Sequence, residues 1–224
     1  MARILALDTT AELGSIAILD GERGALTEVV LHSPEGFGHI LFDRIGLLLE
    51  REGIGVAGID CFAAASGPGS FTGVRIGLTA VKGLAEASGK RVVAVSNLRA
   101  LAWYGSGPLR ATVLDARRGE IYGAVYGAGL EPVQPERVMK FPAWLEGLPG
   151  GEVEFIGANL APFAPALEAS RFRGAHVVRI SGTLAGAIAS IALGEFVAGR
   201  AVDPAAADAN YVRRSDAELF WKEQ

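Results

Sequence analysis

Two groups of residues in this 224-residue chain have types and spacing suited to chemistry. Residues 66–77 read Ser-Gly-Pro-Gly-Ser-Phe-Thr-Gly-Val-Arg-Ile-Gly, a glycine-dense loop that follows the apolar run Ile59 to Ala65 and leads into a helical pattern. Gly67, Gly69 and Gly73 free the backbone for sharp or left-handed turns, and Ser70 and Thr72 are residue types that cap a helix start. Such a junction could hold an anion where free amides and the helix dipole converge, or it could be a tight turn packing a helix onto a sheet. It is not a Walker loop, because Val74-Arg75 follows Gly73, and not a dinucleotide fingerprint, because Thr72 stands where the third glycine belongs. The second group is a pair of aspartates: Asp8 ends the apolar pattern Ile4-Leu-Ala-Leu with Thr9 and Thr10 behind it, and Asp115 ends Thr112-Val-Leu. Each either faces a ligand in a cleft or serves as an ordinary turn residue.

Other constellations are thin. His32 and His39 lie seven apart, only His39 and Asp43 share i,i+4 spacing on a helix, and His176 has no partner in sequence, so no metal site is predicted. No serine elbow, paired cysteine ligands or Ser/His/Asp arrangement is present, and no catalytic residue is predicted. Arg117, Arg118, Glu120 and Tyr122 form a polar turn that would bind an anion, bridge two lobes, or simply be solvated. Cys61 sits within an apolar strand pattern and reads as a small buried hydrophobe, in keeping with a reducing, cytoplasmic compartment.

Two stretches look like copies of one unit. Ile4 to Asp8 turns through Gly14 into Ile16 to Leu19, and Thr112 to Asp115 turns through Gly119 into Ile121 to Val125. The first copy is followed by strand, helix, strand, helix and strand near 25–31, 36–52, 59–65, 74–88 and 91–95. The second is followed by a loop-rich 129–153 and shorter elements near 154–157, 160–169, 176–180 and 183–199. Gly105, Gly107 and Pro108 break the chain between them, which gives an expected first lobe over 1–104 and a smaller second lobe over 105–207. A charged last helix within 208–224 is expected to return to the first lobe. Half the residues are hydrophobic, enough for a substantial core. The net charge of −4 and pI near 5.5 argue against autonomous binding of a polyanion. No signal peptide is read at the start and no apolar stretch is long enough to span a bilayer.

The helices at 36–52 and 74–88 are apolar around more of their circumference than one sheet can cover. Phe37, Leu41, Ile45 and Leu48 on one, and Gly77, Leu78 and Val81 on the other, are the expected interface with another chain; burial in a deep sandwich is the alternative.

The string Gly67-Pro-Gly-Ser-Phe-Thr-Gly-Val-Arg-Ile-Gly77, together with Ile4 to Thr10, Asp115-Ala-Arg-Arg-Gly-Glu-Ile-Tyr122, and Tyr211-Val-Arg213 with Ala217-Glu218, resembles the TsaB (YeaZ) family along nearly the whole chain. Gly36 and Ala209 depart from that pattern, where relatives often carry histidine and proline. The resemblance implies an actin/hexokinase-like (ASKHA) α/β fold of two related lobes, each led by a β-hairpin. It implies a non-catalytic or weakly active partner of a TsaD-like paralogue, acting with a TsaE-like ATPase in forming N6-threonylcarbamoyladenosine at position 37 of tRNAs that read codons beginning with adenosine. The chain would pair with itself in isolation and meet tRNA only through the complex. Nucleotide-facing or anion-facing positions would be Asp8, Thr9, Gly67, Gly69, Ser70, Thr72, Gly73 and Asp115. No cofactor is assigned to the chain, although ATP and Mg are expected of the complex. The alternative is an ATP-dependent small-molecule kinase or ATPase using the cleft between Asp8, loop 67–73 and Asp115; for the adenosine it offers only Gly150-Gly151.

Overall fold

The computed structural model describes residues 2–212; the charged helix expected toward residue 224, and Arg213, lie outside the described residues. Two five-stranded sheets share one topology. In the first, β1 (Arg3–Asp8), β2 (Leu13–Asp20) and β3 (Ala25–His32) form an antiparallel meander, and β4 (Cys61–Gly67) and β5 (Arg91–Ser96) add in parallel beside β1, giving the order β3-β2-β1-β4-β5. In the second, β6 (Leu109–Asp115), β7 (Glu120–Gly127) and β8 (Pro132–Lys140) repeat the meander, and β9 (Val153–Gly157) and β10 (Val177–Arg179) add in parallel, giving β10-β9-β6-β7-β8. The chain is thus the two-lobed actin-like α/β fold, with Asp8 and Asp115 ending equivalent strands.

Between β3 and β4 lies α1 (Leu41–Arg51), between β4 and β5 α2 (Phe71–Ser88), and α3 (Asn97–Ala102) carries the chain into the second lobe. There α4 (Phe141–Glu146) and α5 (Ala164–Glu168) are short, and α6 (Ala185–Val197) follows β10. The start of α2 is set by Ser70, whose hydroxyl accepts from the Gly73 amide at 3.2 Å, and its end by Gly89 in the left-handed region at φ 65°.

Side chains alternate along β1, so Ile4 and Ala6 enter one core and Leu5 and Leu7 another. The second of these is closed by α1 and α2 on the outer face of the first sheet. The first is filled from α3 and α6, with Leu98, Leu101, Ile188 and Ile191 meeting Tyr126 and Ile156 of the second sheet. A third core covers the other face of the second sheet under α4 and α5.

Several expectations need correction. Helix α1 begins at Leu41 rather than residue 36, because Gly36 is left-handed at φ 89° and only the carbonyl of Phe37, accepting from the amides of Ile40 and Leu41, opens the first turn. The stretch 129–153 is not loop-rich: it holds β8 and α4. Helix α6, expected with the second lobe, packs on β1, β2, β4 and β5 of the first sheet, where its Ala185 amide donates to Ser15 Oγ at 3.0 Å. It is apolar nearly all round and rich in Ala and Gly, so it can lie close to that sheet.

Candidate functional site

A cleft of about 790 Å³ separates the lobes, lined by Asp8, Thr10, Gly69, Ser70 and Asn97 from the first and by Asp115, Arg117, Tyr122 and Asn159 from the second. Asp8 is 1% exposed. Its Oδ1 accepts from the Thr10 amide (3.0 Å) and the Thr10 hydroxyl (2.6 Å), while its Oδ2, also buried, has no partner. Burial pushes the Asp8 carboxyl above the ordinary carboxylate range; the two Thr10 hydrogen bonds oppose that shift and the nearby Glu28 adds to it.

Asp115 is built differently. It is exposed, and its Oδ1 accepts from the Arg117 amide at 2.8 Å in a turn where Arg117, Arg118 and Gly119 all adopt positive φ. It works as a turn residue that also borders the cleft.

The glycine loop owes its composition to close packing against the Thr9-Thr10 turn. A Cβ on Gly73 would lie 1.9 Å from the Thr9 carbonyl oxygen, one on Gly69 2.8 Å from Thr10 Cβ, and one on Gly77 2.7 Å from Thr9 Oγ1. The amides of Gly67, Ser70 and Gly73 donate to Asn97 Oδ1 (2.9 Å), the Thr10 carbonyl (2.8 Å) and Ser70 Oγ (3.2 Å), so three donors expected of an anion cradle are engaged within the chain. Of the eight residues expected to face a ligand, Asp8, Gly69, Ser70 and Asp115 line the cleft. Thr9 and Gly73 are buried behind it, joined by the Thr9 hydroxyl donating to the Gly73 carbonyl at 2.7 Å. Gly67 is buried beside the segment near Asn210, and Thr72 opens onto a different surface.

Asn97 is the residue the sequence reading missed. Buried at the start of α3, it accepts from the Gly67 amide and donates to Thr10 Oγ1 at 2.6 Å, which joins glycine loop, Asp8 turn and lobe crossover. A polar residue between the buried run of β5 and the apolar face of α3 was the available signal. Among the described residues, no three His, Cys, Asp or Glu side chains group as metal ligands.

The side chains expected at an interface need a different account. Phe37, Leu41, Ile45, Leu48, Leu78 and Val81 are all buried in the chain's own core against the first sheet, and Gly77 is buried on the side of α2 that faces Thr9 and Ala64. The deep sandwich accounts for them. What α1 and α2 turn outward is a shallow groove of about 430 Å³ lined by Gly38, Phe42, Phe71, Arg75, Ile76 and Thr79, with Phe42 57% and Phe71 42% exposed. Apolar surface therefore remains on both helices, on residues other than those expected.

Fold and cleft define a two-lobed actin-like protein in which, among the described residues, the first lobe's Asp8 is buried at the cleft and the second lobe's Asp115 is exposed there. Comparison with known proteins narrows that class. The family profile described as TsaD, tRNA N6-adenosine threonylcarbamoyltransferase, matches residues 39–212. The chain is 36% identical over 129 residues to the tRNA threonylcarbamoyladenosine biosynthesis protein TsaB of Escherichia coli K12, covering 55% of this chain and 54% of that protein. It is 33% identical over 150 residues to the TsaB of Bacillus subtilis 168, covering 65% of each. The matched stretch thus spans between half and two thirds of these relatives. The solved structure of YeaZ from Pseudomonas aeruginosa superposes with a TM-score of 0.78 at 27% identity, over 94% of this chain and 100% of that one. The chain belongs to the threonylcarbamoyltransferase family, in its TsaB (YeaZ) branch.

Proposed function

We propose that this chain is a cytoplasmic partner subunit that docks on a TsaD-like paralogue through the outer face of α1 and α2. In that complex, with a TsaE-like ATPase, it supports threonylcarbamoyladenosine formation at position 37 of tRNAs reading codons that begin with adenosine. It does little or no chemistry alone, and it pairs with itself through the same face when the paralogue is absent. The observation that carries this reading is the groove between α1 and α2: Phe42 and Phe71 stand exposed there although six neighbouring apolar side chains are buried beneath them. Exposed aromatics flanking an arginine are the composition of an interface hot spot. The acidic balance of the chain leaves tRNA contact to the other subunits, with an affinity for the chain alone no better than the roughly 10⁻⁴ to 10⁻⁶ M of non-specific association.

The test is co-purification with the TsaD-like protein of the same organism and mass spectrometry of tRNA from depleted cells. Phe42→Glu and Ile76→Glu change exposed or half-exposed positions, so both variants are expected to fold by circular dichroism, lose the partner and leave adenosine 37 unmodified. Folded variants that still bind and support full modification would place docking elsewhere.

A second reading, nucleotide turnover in the cleft, has the orphan Oδ2 of Asp8 in its favour. It predicts turnover above a few per minute in a clean preparation, abolished by Asp8→Ala. The engaged amides of the glycine loop argue against it.

A further inference from the structure

Residues 202–211 run as a strap over the first lobe. Val202 bridges to Val92 at the edge of β5, the Ala207 carbonyl accepts from Lys82 Nζ at 2.9 Å, and the Asn210 amide donates to the Ser66 carbonyl at 2.8 Å. The strap ends on Tyr211, whose ring lies 5.5 Å from that of Phe71 and whose hydroxyl accepts from Arg75 Nε at 3.3 Å. The Arg75 guanidinium in turn covers the Phe71 ring at 3.8 Å. Both Phe71 and Arg75 line the groove between α1 and α2.

The second lobe grips this strap through Glu136. Glu136, on β8, accepts from Asn210 Nδ2 at 2.6 Å with Oε2; its Oε1 accepts from the Tyr126 hydroxyl at 2.8 Å and from the Ser96 hydroxyl. Ser96 caps α3, accepting from the amides of Leu98 and Arg99, so the carboxylate of Glu136 ties β8, the lobe crossover and the strap at one point. Asn210 also presses on Gly67, where a Cβ would come 3.1 Å from the Asn210 carbonyl oxygen. From Gly67 the hydrogen bonds continue through Asn97 and Thr10 to Asp8 in the cleft.

We propose that Glu136 is a positioning residue for partner docking: by holding Asn210 it sets Tyr211 against Phe71 and Arg75, so the second lobe fixes the shape of a groove built on the first. This rests on the docking face proposed above. An aromatic and an arginine at an open groove have several rotamers each, and ordering them before the partner arrives removes an entropic cost of association. Such a coupling requires the strap to have a released arrangement beside the docked one, and the charge cycle below is built to populate it.

The test is a charge cycle at one contact. Asn210→Asp sets carboxylate against carboxylate and releases the strap. Glu136→Gln alone is tolerated, because the Asn210 amide can turn its oxygen toward the new donor. The two together restore one donor facing one acceptor. Each full-length variant is examined by amide hydrogen exchange over 203–212 and 70–76, and by calorimetric titration with the TsaD-like protein. Asn210→Asp is expected to speed exchange in both segments and to weaken partner binding about tenfold, with the double variant returning to within about threefold of the unsubstituted chain. Faster exchange with unchanged binding, unchanged exchange, or no rescue in the double variant would each overturn the proposal. If the unsubstituted chain does not bind the TsaD-like protein at all, the docking reading itself fails. In that event the exchange arm still tests the grip of Glu136 on the strap.

Discussion

The two lobes have the same strand order and different helices. In the first, 11- and 18-residue helices connect β3 to β4 and β4 to β5; in the second, the corresponding connections contain helices of 6 and 5 residues. Strand order follows from the hairpin-led pattern and the preference for parallel crossovers through helices, and both copies retain it. Helix length decides what is left over. Short α4 and α5 place Phe141, Trp144, Leu145 and Leu167 in one core, whereas α1 and α2 are long enough to bury one face and present another. The cleft shows the same asymmetry: Asp8 is sealed by Thr10, Asn97 and the glycine loop, and Asp115 stands exposed in its turn. One lobe carries the buttressed site and the outward helices; the other supplies the opposite wall and the grip on the strap.

The largest effect that would separate the lobes comes from glycine. Gly73→Ala puts a methyl group 1.9 Å from the Thr9 carbonyl oxygen and 2.9 Å from its carbon, backbone atoms that cannot rotate away. We expect a loss of about 3 kcal/mol or more, or failure to fold. Gly119→Ala, in the Asp115 turn between β6 and β7, meets nothing within 4 Å and pays only for φ 74°, about 1 kcal/mol. Urea unfolding of both variants measures the difference, and equal losses would mean that the loop does not buttress the Asp8 turn.

The hinge between the lobes gives the next effect. Glu154, buried on β9, accepts from the Ser106 amide (2.8 Å), the Gly107 amide (3.1 Å) and His176 Nδ1 (2.7 Å). Burial pushes its carboxyl up, but the Gly107 amide, His176 and the Ser106 amide together outweigh that and hold it below its ordinary 4.5. A carboxyl lowered in the folded state stabilises above its unfolded value, and that contribution is lost as pH falls through the folded one. Glu154→Ala leaves the linker amides without their acceptor and is expected to lose about 2–3 kcal/mol at pH 7. The difference from the unsubstituted chain should shrink as the pH drops below about 4.5. A thermal-melting series between pH 3 and 7 reads both, and a difference that does not change with pH would remove Glu154 as the hinge anchor.

Much of this was legible in the sequence, because hairpins with period-two alternation and capped helices are local signals. The repeated strand-Asp-turn-strand unit is a local signal of the two sheets, because each copy carries its own hairpin. The side of a helix that faces the sheet was not legible: α2 is apolar so broadly that Leu78, buried, and Ile76, half-exposed, look alike in sequence. The destination of α6 is a tertiary choice made by Ala and Gly spacing against the first sheet, and no period announces it. The hydrogen bonds of Asn97 to Gly67 and Thr10 and of Glu136 to Asn210 span 30, 87 and 74 positions in sequence. No spacing rule joins them.

The smallest effect is the sharpest test of the cleft asymmetry. Asp8→Asn keeps the oxygen that accepts from the Thr10 amide and hydroxyl and replaces the unpartnered Oδ2 by an uncharged NH₂. Because the folded carboxyl lies above its ordinary 3.8, the folded chain retains a proton there that the unfolded chain has lost, and stability falls as pH rises from about 4 toward the folded value. Above that value the buried charge is carried in full. Asp8→Asn should therefore be more stable than the unsubstituted chain by about 1 kcal/mol at pH 7, with the advantage vanishing near pH 4. Asp115→Asn, at an exposed turn, should stay within about 0.5 kcal/mol throughout. Urea unfolding at pH 4, 5.5, 7 and 8 decides it. If Asp8→Asn is instead destabilising at pH 8, the Asp8 carboxylate is held by a cation or a donor in solution, and the cleft of the first lobe is a ligand site in its own right rather than a wall sealed by packing.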